Sequence, residues 1–250
     1  MNKIFSLLCL LMITLSGCSK TIQAETVSDI NNSEPLSYWA SYKGDRRNII
    51  HHGDLSAQVD LNSLAGVTNL YAIGPVTGLQ GEITIYNGVP SISTVVDGLP
   101  KVDVSFNYGA VFLAYSKAPT WQVIPVAQRL SGLDEIERFV KTSARQAGVS
   151  LDKPFPFRIE GTVDSLEYHI IYKTNHVPHN KKEHKKSKRK FFLEDTTVEI
   201  IGFWAGQEGE GVFTHPGKMT HLHFLTPDNS TSGHVDGILI PGGAILYLPK

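Results

Sequence analysis

Three histidines in the C-terminal part of the chain have a spacing that suits metal binding. His221 and His223 are one residue apart, and His234 follows after ten more residues in THLHFLTPDNSTSGHVDG, residues 220–237. Alternate side chains of a strand lie on the same face, so His221 and His223 can project together. The turn residues 226–229 (TPDN) would allow His234 to return beside them on a neighbouring strand. Three neutral imidazoles with an open fourth position are typical of catalytic zinc, although nickel, copper and iron also accept imidazole.

These histidines need strands to hold them, and the sequence predicts such strands. Apolar runs closed by Gly, Pro or Asn recur from Tyr71 onward. An Asn-Gly pair at 87–88 separates two alternating runs and predicts a hairpin. The predicted strands occupy residues 71–76, 82–96, 101–106, 109–115, 155–173, 198–204 and 242–249. The predicted fold class is therefore α+β and strand-rich. A surface strand with unrelated histidines remains the simpler alternative, because the chain has ten histidines.

One helix is clearly predicted, at residues 131–148 (SGLDEIERFVKTSARQAG). Its apolar residues recur at helical spacing and would share one face: Leu133, Ile136, Phe139 and Val140. Gly148 offers a C-terminal stop. A second helix is predicted around Leu55 to Leu64.

The N-terminus resembles a bacterial lipoprotein signal. Lys3 precedes an apolar run at residues 4–15 that is too short to span a bilayer comfortably. Small residues then lead to Cys18 in the sequence LSGC. This resemblance implies cleavage before Cys18, acylation of its thiol, and export to the cell envelope, on the periplasmic face of an outer membrane where one exists. An ordinary secretory peptide that contains a cysteine is the alternative.

Cysteine usage and composition divide the chain further. The only two cysteines are Cys9, in the predicted signal peptide 1–17, and Cys18. The mature domain would therefore have no thiol nucleophile and no disulfide. Polar residues 18–37 predict a flexible tether. A division near residue 150 is predicted between an N-terminal half, 38–150, and a C-terminal half, 151–250, that carries the histidines.

The net charge of −1 gives no general attraction to nucleic acid. One segment departs from this balance, because residues 181–190 contain seven Lys or Arg. A patch for an anionic surface is one interpretation of this segment. A solvated hairpin loop is the simpler interpretation, and we favour it.

Four segments resemble, in the same order, those of the alpha-acetolactate decarboxylase family. They are NLYAIGPVTGLQGEITIYNGVPSIS (69–93), FRIEGTVDSL (157–166), VEIIGFW (198–204) and HLHFLTPDNSTSGHVDG (221–237). The similarity extends from about residue 54 to residue 249. It implies two packed strand-rich halves, with mixed and antiparallel sheets and a metal cleft between them.

The resemblance also implies site residues and a reaction. His221, His223 and His234 would be the zinc ligands, and Glu82 would be the carboxylate at the metal. The family converts 2-acetolactate, a 2-hydroxy-3-oxo acid, to acetoin and CO2. Zinc would act there as a Lewis acid on the charge left by departing CO2, and an acid must then supply a proton.

The sequence departs from the family at two positions. Where the family has a catalytic Arg after its I-E-G segment, this chain has His169, which lacks a permanent charge and the guanidinium fork. His169 could still act as an acid or base. The sequence ends at residue 250, just after the last predicted strand, so no residue is assigned to a second glutamate of the family.

Two function hypotheses follow from these observations. The first is a zinc-dependent, lipid-anchored decarboxylase of 2-acetolactate or of a related small oxo acid. The second is a non-catalytic metal- or ligand-binding lipoprotein that retains the fold. The expected partners are a small-molecule substrate and membrane lipid, without nucleic acid, and a homodimer is left open. A His169 close to the metal site would favour the enzyme, whereas a His169 that points to solvent would favour the binding protein.

Overall fold

The computed structural model describes residues 38–250 of the chain, and the predicted signal peptide, Cys18 and the tether lie outside that range. Its first part consists of short strands. In chain order these are β1 (Ser41–Lys43), β2 (Val59–Asp60), β3 (Leu70–Pro75), β4 (Glu82–Tyr86), β5 (Val89–Val96), β6 (Leu99–Asp103), β7 (Gly109–Ala110) and β8 (Leu113–Lys117). Six of them form an antiparallel sheet in the order β1-β8-β3-β4-β5-β6, while β2 pairs with β7.

The remaining elements build a second, larger sheet. They are β9 (Trp121–Val126), β10 (Leu130–Ser131), α1 (Leu133–Gln146), β11 (Phe155–Ile171), α2 (Lys181–Ser187), β12 (Lys188–Trp204), α3 (Gly206–Gly209), β13 (Thr220–Leu225), β14 (Ser232–Ile240) and β15 (Ala244–Pro249). The seven strands have the order β10-β14-β13-β12-β11-β15-β9, and every pairing is antiparallel. The strand-rich α+β fold predicted from the sequence is confirmed. Strands β9 and β10 precede residue 150, and the division predicted there stays a prediction.

The long strand β11 closes part of the second sheet on itself. Along one edge it pairs with β12, and along the other it pairs first with β15 and then with β14. The register of β11 against β14 shifts between Glu167 and Tyr168, because Asp236 of β14 is an extra residue without a partner on β11. Because β14 also pairs with β13, strands β11, β12, β13 and β14 form a closed circuit. This closure brings the residues of β11 that follow the register shift next to the predicted histidine strands.

Helix α1 lies within the predicted span. Ile136 and Val140 on its apolar face are fully buried against the second sheet. The backbone N–H of Ser131 donates to Glu135 Oε2 at 2.7 Å, which satisfies a free donor at the start of the helix. The chain leaves the helix at Gly148, whose φ of +76° is a conformation that favours glycine.

The predicted Asn-Gly hairpin is confirmed between β4 and β5. Asn87 and Gly88 have φ values of +50° and +82°. Positive φ at both central residues matches the type I′ turn, whose twist suits a two-residue hairpin. The turn fixes the register of β4 and therefore decides which residues of β4 face the second sheet.

One sequence-based expectation is wrong. The second helix around Leu55 to Leu64 does not form, because that segment contains β2 and a single 3-10 turn at Leu61–Leu64. The basic segment belongs to the hairpin connection between β11 and β12, as predicted, but it contains a helix rather than a simple loop. Asn180 caps α2 by accepting from the backbone N–H groups of Lys182 and Glu183. The next residue after α2 begins β12, which turns its first side chain, Lys188, toward the interior.

The two sheets pack face to face over a shared apolar layer. Ile73, Ala114, Ile201 and Phe203 are buried in this layer. Ser91 Oγ on β5 donates to Ser232 Oγ on β14 at 2.8 Å, which links the sheets by a buried hydrogen bond. Within residues 38–250, no helix is long and apolar enough to cross a membrane.

Candidate metal centre and active site

Three adjacent strands place three histidines in one row. His223 of β13 pairs with His234 of β14, and His234 pairs in turn with His169 of β11. The ring centroids of His223 and His234 are 5.4 Å apart, and those of His234 and His169 are 4.4 Å apart. His221 lies two residues before His223 on β13. Its ring centroid is 5.1 Å from that of His223 and 5.0 Å from that of His234. Strand pairing therefore assembles four imidazoles from three strands.

Burial keeps these imidazoles neutral. His223 has no exposed surface and His221 only 8%. Burial, reinforced by the neighbouring histidines, lowers the pKa of both rings well below the ordinary value. Burial likewise lowers the pKa of His234. Neutral rings have a free nitrogen lone pair, which is the form that binds a metal.

The unpaired ring atoms fit a metal. His223 Nδ1 lies 3.1 Å from Thr84 Oγ1, whereas its Nε2 has no hydrogen-bond partner. His221 Nδ1 is also buried without a hydrogen-bond partner, whereas His234 Nδ1 faces Asp236 Oδ1 at 3.4 Å. Buried polar atoms rarely remain without a hydrogen-bond partner. A metal ion coordinated by these ring nitrogens would explain why they lack one.

Glu82 reaches this cluster from the opposite sheet. It is the first residue of β4, and Gly81 before it has a φ of +151° and no room for a Cβ, which would lie 2.3 Å from the Ser93 carbonyl oxygen. The carboxyl oxygens lie 3.8 Å from His223 Nε2 and 3.7 Å from His169 Nε2. The backbone N–H of Ile171 donates to Oε1 at 3.1 Å. Burial raises the pKa of Glu82 to about 8, so the metal-free protein carries it largely protonated at neutral pH.

Asp236 lies behind the row of histidines. Its Oδ2 is 2.9 Å from His169 Nδ1, and its Oδ1 is 3.4 Å from His234 Nδ1. Burial alone would raise the pKa of Asp236, but the two imidazoles outweigh that effect and keep the carboxylate ionised. Burial also lowers the pKa of His169 to about 3. A neutral imidazole beside an ionised carboxylate has its Nδ1 held as a donor, which leaves Nε2 free.

The set of metal ligands that the structure brings within reach of one ion overlaps with the predicted set but differs from it. His169, His234 and Asp236 offer ligand atoms that all lie within 4.8 Å of one another. The predicted set is His221, His223 and His234. Because His234 belongs to both sets, they describe neighbouring positions in a single site.

A cleft of about 200 Å³ opens onto this site. Four residues of the site line it: Glu82, His169, His221 and His234. Apolar side chains cover much of the wall, including Ile49, Phe112, Leu133 and Phe213. Cationic groups lie among them: Arg46, Lys188 and Lys218. A pocket of this kind would admit a small polar molecule with an acidic group.

All the predicted side chains within the described residues come together here, whereas Cys18 lies outside that range. Sequence reasoning missed Asp236, Thr84 and Lys188. Asp236 could have been found, because it lies two residues after His234 on the same strand face. No sequence signal distinguishes Lys188 from its six basic neighbours.

Replacing Glu82 with Gln is expected to flatten the pH dependence of stability in the metal-free protein. The pKa of about 8 in the folded protein exceeds the ordinary carboxyl value of 4.5, so folding takes up a proton between these pH values. This stabilisation is complete below the unfolded pKa and is lost as pH rises through the folded one. Thermal unfolding in the presence of a chelator should show the wild type losing about 2 kcal/mol more than Glu82→Gln between pH 6 and 8. Parallel pH profiles would instead mean that Glu82 is already ionised.

Comparison with known proteins places this geometry in a family. The sequence model of alpha-acetolactate decarboxylase matches residues 48–245. Similar crystal structures include alpha-acetolactate decarboxylase from Bacillus subtilis strain 168, with 15% identity, a TM-score of 0.67, and coverage of 84% of this chain and 85% of that one. The enzyme from Bacillus subtilis subspecies spizizenii has 16% identity, a TM-score of 0.69, and coverage of 84% and 86%.

A third structure is a Staphylococcus aureus protein of unknown function similar to alpha-acetolactate decarboxylase. It has 17% identity, a TM-score of 0.67, and coverage of 84% of this chain and 85% of that one. A search of curated proteins finds no match. At these identities the structures establish the shared fold, and the family match covers most of the chain. The chain belongs to the alpha-acetolactate decarboxylase family.

Proposed function

We propose that this protein is a zinc-dependent decarboxylase that converts 2-acetolactate, or a closely related 2-hydroxy-3-oxo acid, to acetoin and CO2. The observation that carries the proposal is the group of buried neutral imidazoles facing the Glu82 carboxyl at the end of a small cleft. Membership of a lyase family supports the reaction class. The size of the cleft suits a molecule with few heavy atoms.

The zinc ligands in this proposal are His221, His223 and His234. Asp236 is less suited to the role, because Lys188 Nζ lies 3.7 Å from its Oδ1 and would be repelled by a bound cation. Asp236 instead orients the Nδ1 atoms of His169 and His234, which leaves Nε2 of His234 for the metal. Histidine ligands with an exchangeable fourth position are typical of catalytic zinc.

When bound, zinc would supply a Lewis acid that stabilises negative charge on the substrate's oxygens. The bond from C1 to C2 breaks, CO2 leaves, and C2 must gain one proton to give acetoin. Glu82, whose carboxyl lies 3.8 Å from His223 Nε2, is the acid placed to supply that proton. The backbone N–H of Ile171 keeps the carboxyl directed into the site. His169 lies 3.7 Å from Glu82 and can relay a proton through its Nε2.

Acetoin release from racemic 2-acetolactate tests the proposal. The zinc-loaded full-length protein should release acetoin, and His221→Ala/His223→Ala should release none. Chiral analysis of the acetoin would show whether the proton is delivered to one face. Failure of the wild type to form acetoin while it binds one zinc per chain would refute the decarboxylase reading. That result would favour the second candidate function, a non-catalytic metal- or ligand-binding protein. The presence of His169 in place of the family's Arg supports this candidate.

We also propose that the protein is exported and lipid-anchored through Cys18, on the basis of the lipobox-like LSGC sequence. Cells fed a radiolabelled fatty acid should label the wild type, whereas Cys18→Ser should remain unlabelled and leave the membrane fraction. Equal membrane association of the two proteins would contradict this proposal.

A further inference from the structure

One lysine in the cleft has a poorly neutralised charge. The side chain of Lys188 is 19% exposed, and among residues 38–250 the one carboxylate within 4.0 Å of its Nζ is Asp236, at 3.7 Å. Asp236 is shared with His169 and His234, which approach it more closely. Burying a charge beside one distant counterion is costly, and such a charge is usually kept for a ligand.

Strand pairing places Lys188 beside the reactive groups. It is the first residue of β12 and pairs with Ile171 of β11, whose N–H holds the Glu82 carboxyl. Its positive charge lowers the pKa of Glu82, and it also lowers the pKa of His169 and His234. The ammonium therefore acts electrostatically on Glu82, His169 and His234, the groups nearest to Asp236 and Ile171.

A second cation lines the same cleft. Arg46 shares the wall with Lys188, and in the described part of the chain no carboxylate lies within 4.0 Å of its guanidinium. Lys218, the third cation, is 2.5 Å from Asp134 and already neutralised. His169 contributes no positive charge, since burial keeps it neutral. Lys188 and Arg46 are therefore the cations available to an anion in the cleft.

We propose that Lys188, assisted by Arg46, binds the carboxylate of the substrate and orients its C1–C2 bond against the metal site. The inference rests on the proposed function and names the anion-binding residues of the same cleft. An ammonium offers a compact charge with rotatable donors, so it can hold a carboxylate without the planar fork of a guanidinium. The permanent positive charge available to an anion in this cleft thus comes from Lys188 on β12 and from Arg46, rather than from a residue of β11.

Binding of a charged substrate analogue, compared with that of a neutral one, tests this assignment without turnover. The probes are 2-hydroxyisobutyrate and the isosteric neutral amide 2-hydroxyisobutyramide, titrated calorimetrically into zinc-loaded protein. Wild type should prefer the carboxylate, and Lys188→Gln should reduce this preference by about 10- to 100-fold, as expected for loss of a charge-assisted hydrogen bond. Arg46→Gln should give a smaller reduction, and Lys188→Arg should restore most of the preference.

Lys190→Gln is the matched control. Lys190 lies two residues further along β12, is exposed, and pairs with Glu167 outside the cleft. It should leave the preference unchanged, and zinc content and thermal unfolding should be equal in all variants. A carboxylate preference that survives Lys188→Gln, or that is absent in wild type, would overturn the inference. A wild type that releases no acetoin but loses its carboxylate preference in Lys188→Gln would refute the proposed decarboxylation alone.

Discussion

His223→Ala is expected to leave the protein folded but unable to retain zinc. His223 is fully buried, and its Nε2 is directed into the cluster without a hydrogen-bond partner. Removing one of three imidazole ligands eliminates a metal bond that water cannot replace with equal affinity. Zinc content measured after dialysis should fall from about one per chain to near zero. Acetoin formation should fall about a thousand-fold or more, because several kcal/mol of charge stabilisation are lost with the ion.

The same experiment separates the two donor sets. If zinc is held by His221, His223 and His234, then His221→Ala should also lose the ion, while His169→Gln should retain it. If the ion is held by His169, His234 and Asp236, the pattern reverses. Cobalt substitution gives a readout that is independent of activity, because the absorption bands report the ligand set. Retention of tetrahedral cobalt by His223→Ala would contradict the assignment proposed for the metal.

Arg158→Met is expected to destabilise the fold by about 3–5 kcal/mol, because it removes a buried cation and leaves two partly buried carboxylates unpaired. Arg158 on β11 is 8% exposed, contacts the Glu160 carboxylate and lies 3.7 Å from Glu199. Its guanidinium carbon is 4.5 Å from the Tyr247 ring and 4.7 Å from the Tyr86 ring. Thermal unfolding should shift downward by roughly 6–20 °C for a chain of this size.

This prediction depends on the other groups that hold the same carboxylate. Tyr86 and Tyr247 both donate to Glu160, at 3.1 and 2.7 Å. Since Tyr86 belongs to the first sheet and Tyr247 to the second, the Arg158 cluster joins the sheets away from the metal site. Arg129→Met is the control, because Arg129 is exposed and pairs with Asp164 at 3.3 Å. An exposed pair contributes at most about 1 kcal/mol. Equal effects of the two substitutions would show that the buried cluster does not stabilise the protein.

Local sequence patterns were sufficient where they act over a few residues. The Asn87-Gly88 pair predicted its hairpin because few other residues accept two positive φ angles in succession. The apolar spacing of Ile136 and Val140 predicted α1 because a helix repeats every 3.6 residues. The helix predicted around Leu55 to Leu64 did not form, since Leu61 and Leu64 are buried by a single 3-10 turn rather than by a helix.

Local sequence patterns predicted only part of the candidate site. The H-x-H spacing and the return of His234 follow from the period of two in a strand, and the structure pairs His223 with His234 as that spacing predicts. Glu82 and His169 were reached only through resemblance to a family. Nothing local to either residue indicates that it faces a histidine, because their contacts join positions far apart in the chain.

Tertiary structure alone decided the electrostatics of the site. The extra residue Asp236 of β14 shifts the register between β11 and β14 and thereby sets His169 opposite His234. Burial, which no sequence pattern reports, raises the pKa of Glu82 and keeps the histidines neutral. The first residue of β12 turns inward while the basic residues of α2 remain largely at the surface, so only Lys188 of that strand enters the cleft. The sequence by itself determined the residue types, the strands and the family, whereas packing of the two sheets determined which of those residues share one desolvated space.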